Sequence, residues 1–398
     1  MAYSYPVKHM HERMRGAPVI SATVGAMIAA LDAFLITGWG PTTALSVTVS
    51  GGVGTAQFND GVYFEEEAVV LIDGVTSPAL LNGEARVLSR TSKSITFATD
   101  APDGVATGSI TVRYAPVGWE KVYNGINKAV YRSKHVKSAG HFLRVDDTGI
   151  QNTKIAGYEV MTDVDTGTGM FPSTTIVPSG YYWVKSASST SSSARSRYLL
   201  AADPRFLLTA FSVGTSANEI YTGTGIRGFG DPIVLATAGD PWATVISGTQ
   251  GGGSYLSRGS FTTGDLGDSY AGCAMPRAFA GLGSAIFVGS RPFTGSLSTT
   301  SGADNFCGAA PSSVNGRILF SEVFLREAFS SAPPRAVIPG VRYIPHSGVA
   351  SIAALGDFFP GSDAYAGRKF FAVAHSDSTG SSVGGVGAID ISGPWRPD

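Results

Sequence analysis

Two aspartates, Asp163 and Asp165, stand one residue apart in the turn-rich stretch MTDVDTGTGMFPS. Closely spaced carboxylates are typical calcium ligands. An EF-hand loop needs oxygen ligands at positions 1, 3 and 5, glycine at position 6 and glutamate at position 12. Counted from Asp163, position 5 is glycine and positions 6 and 12 are threonine, so only the two aspartates fit. Because aspartate carboxylates also accept backbone N–H bonds in turns, we interpret the stretch as a turn and predict no metal site.

The second candidate is the glycine-rich run TGTGIRGFGD, which contains Gly223, Gly225, Gly228 and Gly230. A phosphate-binding loop follows a strand, opens a helix and carries either Gly-Lys-Ser/Thr or the dinucleotide spacing. No Lys-Ser pair follows this run, which ends in Asp-Pro. We therefore expect a flexible turn and no cofactor.

Nucleophilic catalysis would need a serine or cysteine, a histidine and an acid brought together. The chain has six histidines, which are His9, His11, His135, His141, His346 and His375. The α/β alternation that hosts a G-x-S-x-G nucleophile elbow is absent from the sequence pattern. His375, Ser376 and Asp377 are adjacent, but neighbours in a strand point to opposite faces, so adjacency does not make a triad.

Paired carboxylates also hydrolyse glycosidic bonds. The candidates here are Glu65–Glu67, Asp146/Asp147 and Asp163/Asp165, and the triplet is interpreted more simply as the solvated entrance to a strand. The tryptophans, which could form a sugar-stacking platform, are spread along the chain as Trp39, Trp119, Trp183, Trp242 and Trp395. We predict core or interface anchors, and we predict no catalytic, cofactor-binding or metal-binding residues.

Composition limits the classes of function. Apolar residues make up 43% of the chain, whereas charged residues make up 15%, against about 25% in typical soluble domains. A surface with so few charges favours an oligomer, in which neighbouring copies cover part of the surface of each chain. The net charge of −1 argues against nucleic-acid binding, because phosphate recognition needs a basic excess. Cys273 and Cys307 are too few for a disulfide scaffold; free thiols are favoured, and a single bridge stays open.

The apolar segment Ala17–Trp39 follows a basic stretch and superficially resembles a signal peptide or membrane anchor. Asp32 and Gly25 interrupt it, and apolar residues recur at helical spacing. The pattern predicts a buried or docking helix over Thr23–Thr37, with Thr23 as its cap. We expect no membrane insertion.

Beyond Gly40 the pattern changes to short alternating runs separated by Asp-Gly and Asn-Gly turns, which is typical of antiparallel β-structure. The predicted fold class is mainly β. Residues 1–40 form an arm and docking helix, 41–116 a small β-sandwich or barrel, and 117–398 a larger, loop-rich all-β domain. Ala115–Gly118 is the expected hinge, and Pro172–Arg197 the expected exposed serine-rich loop.

Several linked stretches carry a resemblance. They are GAPVISATVGAMIAALDAFLITGWG, LIDGVTSPALLNGEARVLSRTSKSITFAT, GWEKVYNGINKAVYRS with the following FLRVDDTG and AGYEVMTDVDTGTGMFPS, and the terminal DISGPW. Together they resemble a poorly characterised family of virion structural proteins of tailed bacteriophages. The likeness spans most of the chain and is most specific in Gly118–Ser173.

The resemblance implies a non-enzymatic part of the virion, in the tail, neck or collar, or tip, assembled in the host cytoplasm. Its expected partners are identical copies and neighbouring tail, neck or head proteins. We expect the arm Met1–Arg15 and the helix Thr23–Thr37 to dock in this assembly. The alternative is a receptor- or glycan-binding adhesin on the virion surface. A polysaccharide hydrolase and a secreted bacterial β-protein are the remaining alternatives.

Overall fold

The computed structural model describes residues 5–59, 61, 64–212, 225–251, 260–261, 272–292, 307–327, 332–349, 352–353, 356–375 and 385–396. Within these residues the chain is mainly β, and every named strand pair is antiparallel, so the predicted fold class is confirmed. One short helix lies near the amino terminus, as predicted.

The amino-terminal segment is built into the body of its own chain. Strand β1 (Lys8–His11) is buried and pairs along its length with residues Arg197–Asp203. Helix α1 (Ala26–Asp32) continues into a π-helical turn, Ala33–Thr37, and both bury their apolar residues. This corrects the expectation that the arm and helix dock on neighbouring subunits: their apolar side chains are used within the same molecule.

The helix begins three residues later than the sequence indicates. Gly25 occupies its N-cap position with a left-handed φ of 81°, which residues other than glycine rarely adopt. The N–H of Met27, in the first turn of the helix, donates to Asp147 Oδ2 at 2.8 Å. The helix is therefore capped by a carboxylate that is distant in the sequence, and not by Thr23. No helix in the described part of the chain is long and apolar enough to span a membrane.

The small β-unit is one curled eight-stranded sheet in the order β2-β9-β5-β6-β7-β4-β3-β8. Its strands are β2 (Trp39–Thr43), β3 (Ser46–Ser50), β4 (Val53–Gln57), β5 (Val69–Ser77), β6 (Gly83–Arg90), β7 (Ser94–Ala98), β8 (Gly104–Val105) and β9 (Thr107–Tyr114), with a 3₁₀ turn at Ala79–Leu81. The Ala44 N–H donates to the Ile110 carbonyl at 2.9 Å, and the Ala106 N–H donates to the Val47 carbonyl at 2.8 Å. The first bond continues the β2–β9 ladder and the second continues the β3–β8 ladder. Because β8 runs into β9 after the single residue Ala106, the two ends of the sheet meet, as in a small barrel.

A six-stranded sheet follows, in the order β10-β11-β12-β13-β16-β22, with the hairpin β14–β15 beside it. The strands are β10 (Glu120–Gly125), β11 (Lys128–Arg132), β12 (Phe142–Asp146), β13 (Asn152–Tyr158), β14 (Val160–Met161), β15 (Gly167–Thr168), β16 (Tyr181–Val184) and β22 (Thr249–Gln250). Strand β16 lies inside the stretch predicted to be an exposed loop. Its Trp183 is fully buried, so the apolar run YYWV determined the structure there, while residues on both sides of the strand, such as Thr174 and Ser189, are exposed.

The rest of the chain forms three sheets, in the orders β1-β17-β18-β19-β21-β23-β24, β20-β27-β26-β25 and β28-β31-β30-β29. Their remaining strands are β17 (Arg197–Asp203), β18 (Phe206–Ser212), β19 (Ile226–Gly230), β20 (Ile233–Val234), β21 (Val245–Ser247), β23 (Cys273–Met275), β24 (Ile286–Phe287), β25 (Gly289–Pro292), β26 (Val323–Arg326), β27 (Pro334–Val337), β28 (Val341–Tyr343), β29 (Phe358–Pro360), β30 (Lys369–His375) and β31 (Gly385–Asp390), with a 3₁₀ turn at Asp363–Tyr365.

The glycine-rich run is a buried strand over Ile226–Gly230, and the prediction of a flexible turn was wrong there. A Cβ on Gly228 would lie 2.1 Å from the Leu207 carbonyl oxygen, so this glycine permits close approach of the neighbouring backbone. Of the other glycines in the run, Gly223 lies outside the described residues.

One large apolar core joins α1, the small barrel and the six-stranded sheet with part of the seven-stranded sheet. The expected hinge Ala115–Gly118 lies against this core, where the Val117 N–H donates to the Phe34 carbonyl at 2.9 Å. Neither Cys273, which is buried, nor Cys307, which is half-buried, is joined in a disulfide.

Candidate functional site

The aspartate pair of the MTDVDTG stretch shapes the turn between β14 and β15. Asp163 Oδ1 accepts the backbone N–H groups of Asp165 and Thr166 at 2.7 and 2.8 Å, and these bonds lower the pKa of the Asp163 carboxyl. Asp165 instead binds the cationic groups of Lys128 and Arg144. The interpretation as a turn is confirmed. Among the residues that the structure describes, no group of three or more His, Cys, Asp or Glu side chains is arranged to hold a metal ion.

The second predicted pair, Asp146 and Asp147, is divided between surface and core. Asp147 is fully buried and forms an ion pair with Lys185, which is equally buried. The Thr153 hydroxyl donates to Asp147 Oδ1 at 2.6 Å, while Oδ2 caps α1. With both oxygens occupied, this carboxylate ties β12, β16 and the helix together and is closed to a substrate.

The tryptophans act as separate anchors, not as a platform. Trp183 and Trp395 are buried and donate their indole N–H groups to backbone carbonyls at 2.8 Å. Trp39 and Trp119 are also buried, and Trp39 stacks on Tyr114 with ring centroids 4.7 Å apart. Only Trp242 is half-buried, and the Arg277 guanidinium lies 4.2 Å above its ring centroid.

His141, Thr244 and Asp231 form a buried hydrogen-bonded chain that superficially resembles a catalytic triad. The Thr244 hydroxyl donates to Asp231 Oδ1 at 2.6 Å, and His141 Nδ1 lies 2.7 Å from the same hydroxyl oxygen. Since the hydroxyl proton is directed at the aspartate, Nδ1–H must donate to Thr244 and cannot act as its base. Of the predicted neighbours His375, Ser376 and Asp377, the latter two lie outside the described residues.

A cluster that the sequence did not indicate joins β1 to the small barrel and the carboxy-terminal sheet. His11 Nε2 lies 2.8 Å from Glu65 Oε2, and the His9 and His11 rings stack 6.3 Å apart beside Phe358. Burial, followed by the charge of His11, lowers the pKa of His9 to about 3. Burial raises the pKa of Glu65, but the hydrogen bond from His11 and the charges of His11, His9 and Arg13 together outweigh it, so the net change is a decrease.

A cleft of about 220 Å³ lies beside this cluster. It is lined by Glu65, Glu66, Arg90, Phe358, Lys369 and Ile391. His11 and Glu65 are 54 residues apart in the sequence, so spacing alone carried no signal of their contact. In the folded chain the cluster closes the junction between three structural units, where Glu65 pairs with His11 and its side chain stays 25% exposed. The predicted solvated strand entrance is therefore corrected in part for Glu65.

The described surface also carries an apolar groove of about 390 Å³. It is lined by Leu235, Ala236, Phe279, Ala332, Pro333 and Pro334, with Glu327 and Arg335 at its rim. Phe279 is 56% exposed, and Leu282 nearby in the chain is 76% exposed. Arg335 is itself buried and binds Glu327 at 2.7 Å and Asp240, so the charges at the rim are already paired.

No family model matches the chain, and a search of curated proteins finds no match.

Proposed function

We propose that this chain is a structural component of a tailed-phage particle, in its tail, neck or collar, or tip, and that it acts through non-enzymatic contacts with identical copies and neighbouring virion proteins. Two lines support the proposal: the resemblance carried by Gly118–Ser173 and the other motifs, and the low charge of the chain. The observation on which it chiefly rests is the apolar groove beside Phe279.

An exposed groove of this kind favours association because burying apolar surface releases about 25 cal/mol per Å². Its occupant is expected to be apolar as well, since most of the lining is apolar and Arg335 pairs with both Glu327 and Asp240. We assign the occupant as a second copy of the chain. Each copy presents both a groove and the projecting Phe279 and Leu282 on the same part of its surface, which suits a self-complementary, two-fold contact.

The test compares the assembly state of the purified protein with that of the double variant Leu235→Ser/Phe279→Ser, measured by sedimentation velocity over a range of concentrations. We expect the wild-type protein to associate and the variant to shift toward monomer. Val105→Ser is the matched control, because Val105 is 68% exposed but lies on β8 of the small barrel. A wild-type protein that is monomeric throughout, or a variant that associates equally well, contradicts the assigned contact.

A further inference from the structure

A second groove on the described surface has a different character. Two adjoining depressions, each of about 340 Å³, share Lys137, Arg205, Pro232 and Val234. Arg205 lies in the turn between β17 and β18, and Lys137 lies in the loop that follows β11. Prolines and Ile233 supply apolar walls, and His135 and Arg396 complete the lining of the first depression.

Three donor groups in this groove lack acceptors within the described part of the chain. The Arg205 guanidinium forms an ion pair with Asp231, whose Oδ2 lies 3.6 Å from Nε, and this buried Nε makes no hydrogen bond within the described residues. Neither its Nη atoms nor Lys137 Nζ donate to any described residue. His135 Nδ1 accepts the Lys137 backbone N–H at 3.2 Å, so the neutral ring carries its proton on Nε2, which is a third donor.

The acids near these donors are already used. Asp203 Oδ1 accepts two backbone N–H groups of the β17–β18 turn at 2.7 Å, and its Oδ2 accepts Arg396 Nε at 2.7 Å. Asp231 accepts the Thr244 hydroxyl through Oδ1 and the Ala139 N–H through Oδ2. The unused hydrogen-bonding capacity of the groove is therefore almost entirely on the donor side.

The charges show the same imbalance. The first depression is lined by Lys137, Arg205 and Arg396 but by only one acid, Asp203, and Asp231 joins from the second. At the far end Asp240 shares the buried Arg335 with Glu327. Burial, followed by the charge of Arg396, lowers the pKa of Arg205. The excess of positive charge therefore belongs to the first depression, and the second depression does not share it.

We propose that this groove binds a carboxylate carried on a compact ring, of which a uronic acid residue is the representative ligand. A guanidinium presents two parallel N–H groups that match the two oxygens of a carboxylate. The cationic lining of the first depression suits an anion, and the proline and isoleucine walls suit the carbon face of a ring. The site is independent of the apolar groove, because Val234 and Leu235 are consecutive in an extended segment and point to opposite sides.

The experiment titrates the full-length protein with tetragalacturonate by isothermal titration calorimetry. Methyl-esterified tetragalacturonate is the uncharged counterpart, and free galacturonate and inorganic phosphate are separate probes. We expect the acid to bind at least about tenfold more tightly than the ester, since charge-assisted hydrogen bonds to the carboxylate are lost in the ester. If free galacturonate binds as tightly as the tetramer, the monosaccharide is sufficient as a ligand. If the tetramer binds more tightly, the ligand is part of a polymer. Either result supports the proposal.

The variants Arg205→Gln and Lys137→Gln should each weaken binding of the acid about tenfold or more and leave the melting temperature unchanged. Lys93→Gln is the control, because Lys93 is exposed on the small barrel, far from the groove in the fold. Failure of the wild-type protein to bind the acid overturns the proposal. Equal affinity of Arg205→Gln and wild type, or tighter binding of phosphate than of the carboxylate, does the same.

Discussion

Acidification should weaken the junction that β1 makes with the small barrel and the carboxy-terminal sheet. His9 is buried there, and its pKa is lowered from 6.5 to about 3. The charged groups that face it are His11, Glu65, Arg86 and Lys369. Because the folded chain keeps His9 neutral while the unfolded chain takes up a proton below pH 6.5, the free energy of unfolding falls as the pH decreases through this range.

The size of the effect follows from the two pKa values. Each pH unit between them contributes about 1.4 kcal/mol, so lowering the pH to about 5 should remove about 2 kcal/mol through His9 alone. The carboxyl of Glu65 does not interfere in this window, because its pKa is lowered below 4.5. His141 contributes in the same direction, since burial lowers its pKa as well. A variant is therefore needed to isolate His9.

The assay is urea unfolding followed by tryptophan fluorescence at about pH 7 and pH 5. It compares wild type with His9→Leu, which keeps an apolar side chain of similar size against Phe358. The variant should lose about 2 kcal/mol less than wild type between the two pH values. His135→Leu, at an exposed position, should behave like wild type. The reasoning is refuted if wild type and His9→Leu lose the same free energy.

Two further perturbations test the core. Lys185→Met leaves the Asp147 carboxylate buried without its cation and should lower the free energy of unfolding, measured with urea, by about 3–5 kcal/mol. The control Lys93→Met, at an exposed position, should change it by no more than about 0.5 kcal/mol. Equal losses would show that the buried pair is dispensable. Gly228→Ala places a Cβ 2.1 Å from a backbone oxygen and should abolish or severely reduce the yield of soluble, folded protein. The control Gly125→Ala, whose Cβ meets a valine methyl at 3.3 Å as its nearest neighbour, should still fold. A fully stable Gly228→Ala protein would contradict the described strand pairing.

The sequence was informative where local pattern and burial agree. Alternating runs with Asp-Gly and Asn-Gly turns predicted the small barrel, and Asp163 predicted its own turn, because both depend on residues close in the chain. Strand β19 was missed because its glycines imitate a turn until the backbone of Leu207 is placed beside them. No local signal marks Lys185 as buried, since its partner Asp147 is 38 residues away.

The same limit applies to surfaces and sites. The composition predicts that neighbours cover part of the surface, but it could not indicate the proposed contact, because the groove beside Phe279 combines segments that are separate in the sequence. The donors of the cationic groove likewise come from the turn at Arg205 and the loop at Lys137. The arm was expected to dock on neighbouring subunits because no local signal marks its pairing with β17. The two paired strands are separated by almost the whole first half of the chain.

The most direct test of the structural role is a cryo-electron microscopy map of purified, infectious particles from the lysate in which this chain is produced, combined with quantitative mass spectrometry of the same particles. The proposal predicts a fixed, symmetric number of copies in the tail, neck or tip, with Phe279 of one copy buried against a neighbouring copy. Particles that are complete and infectious without the chain would contradict it.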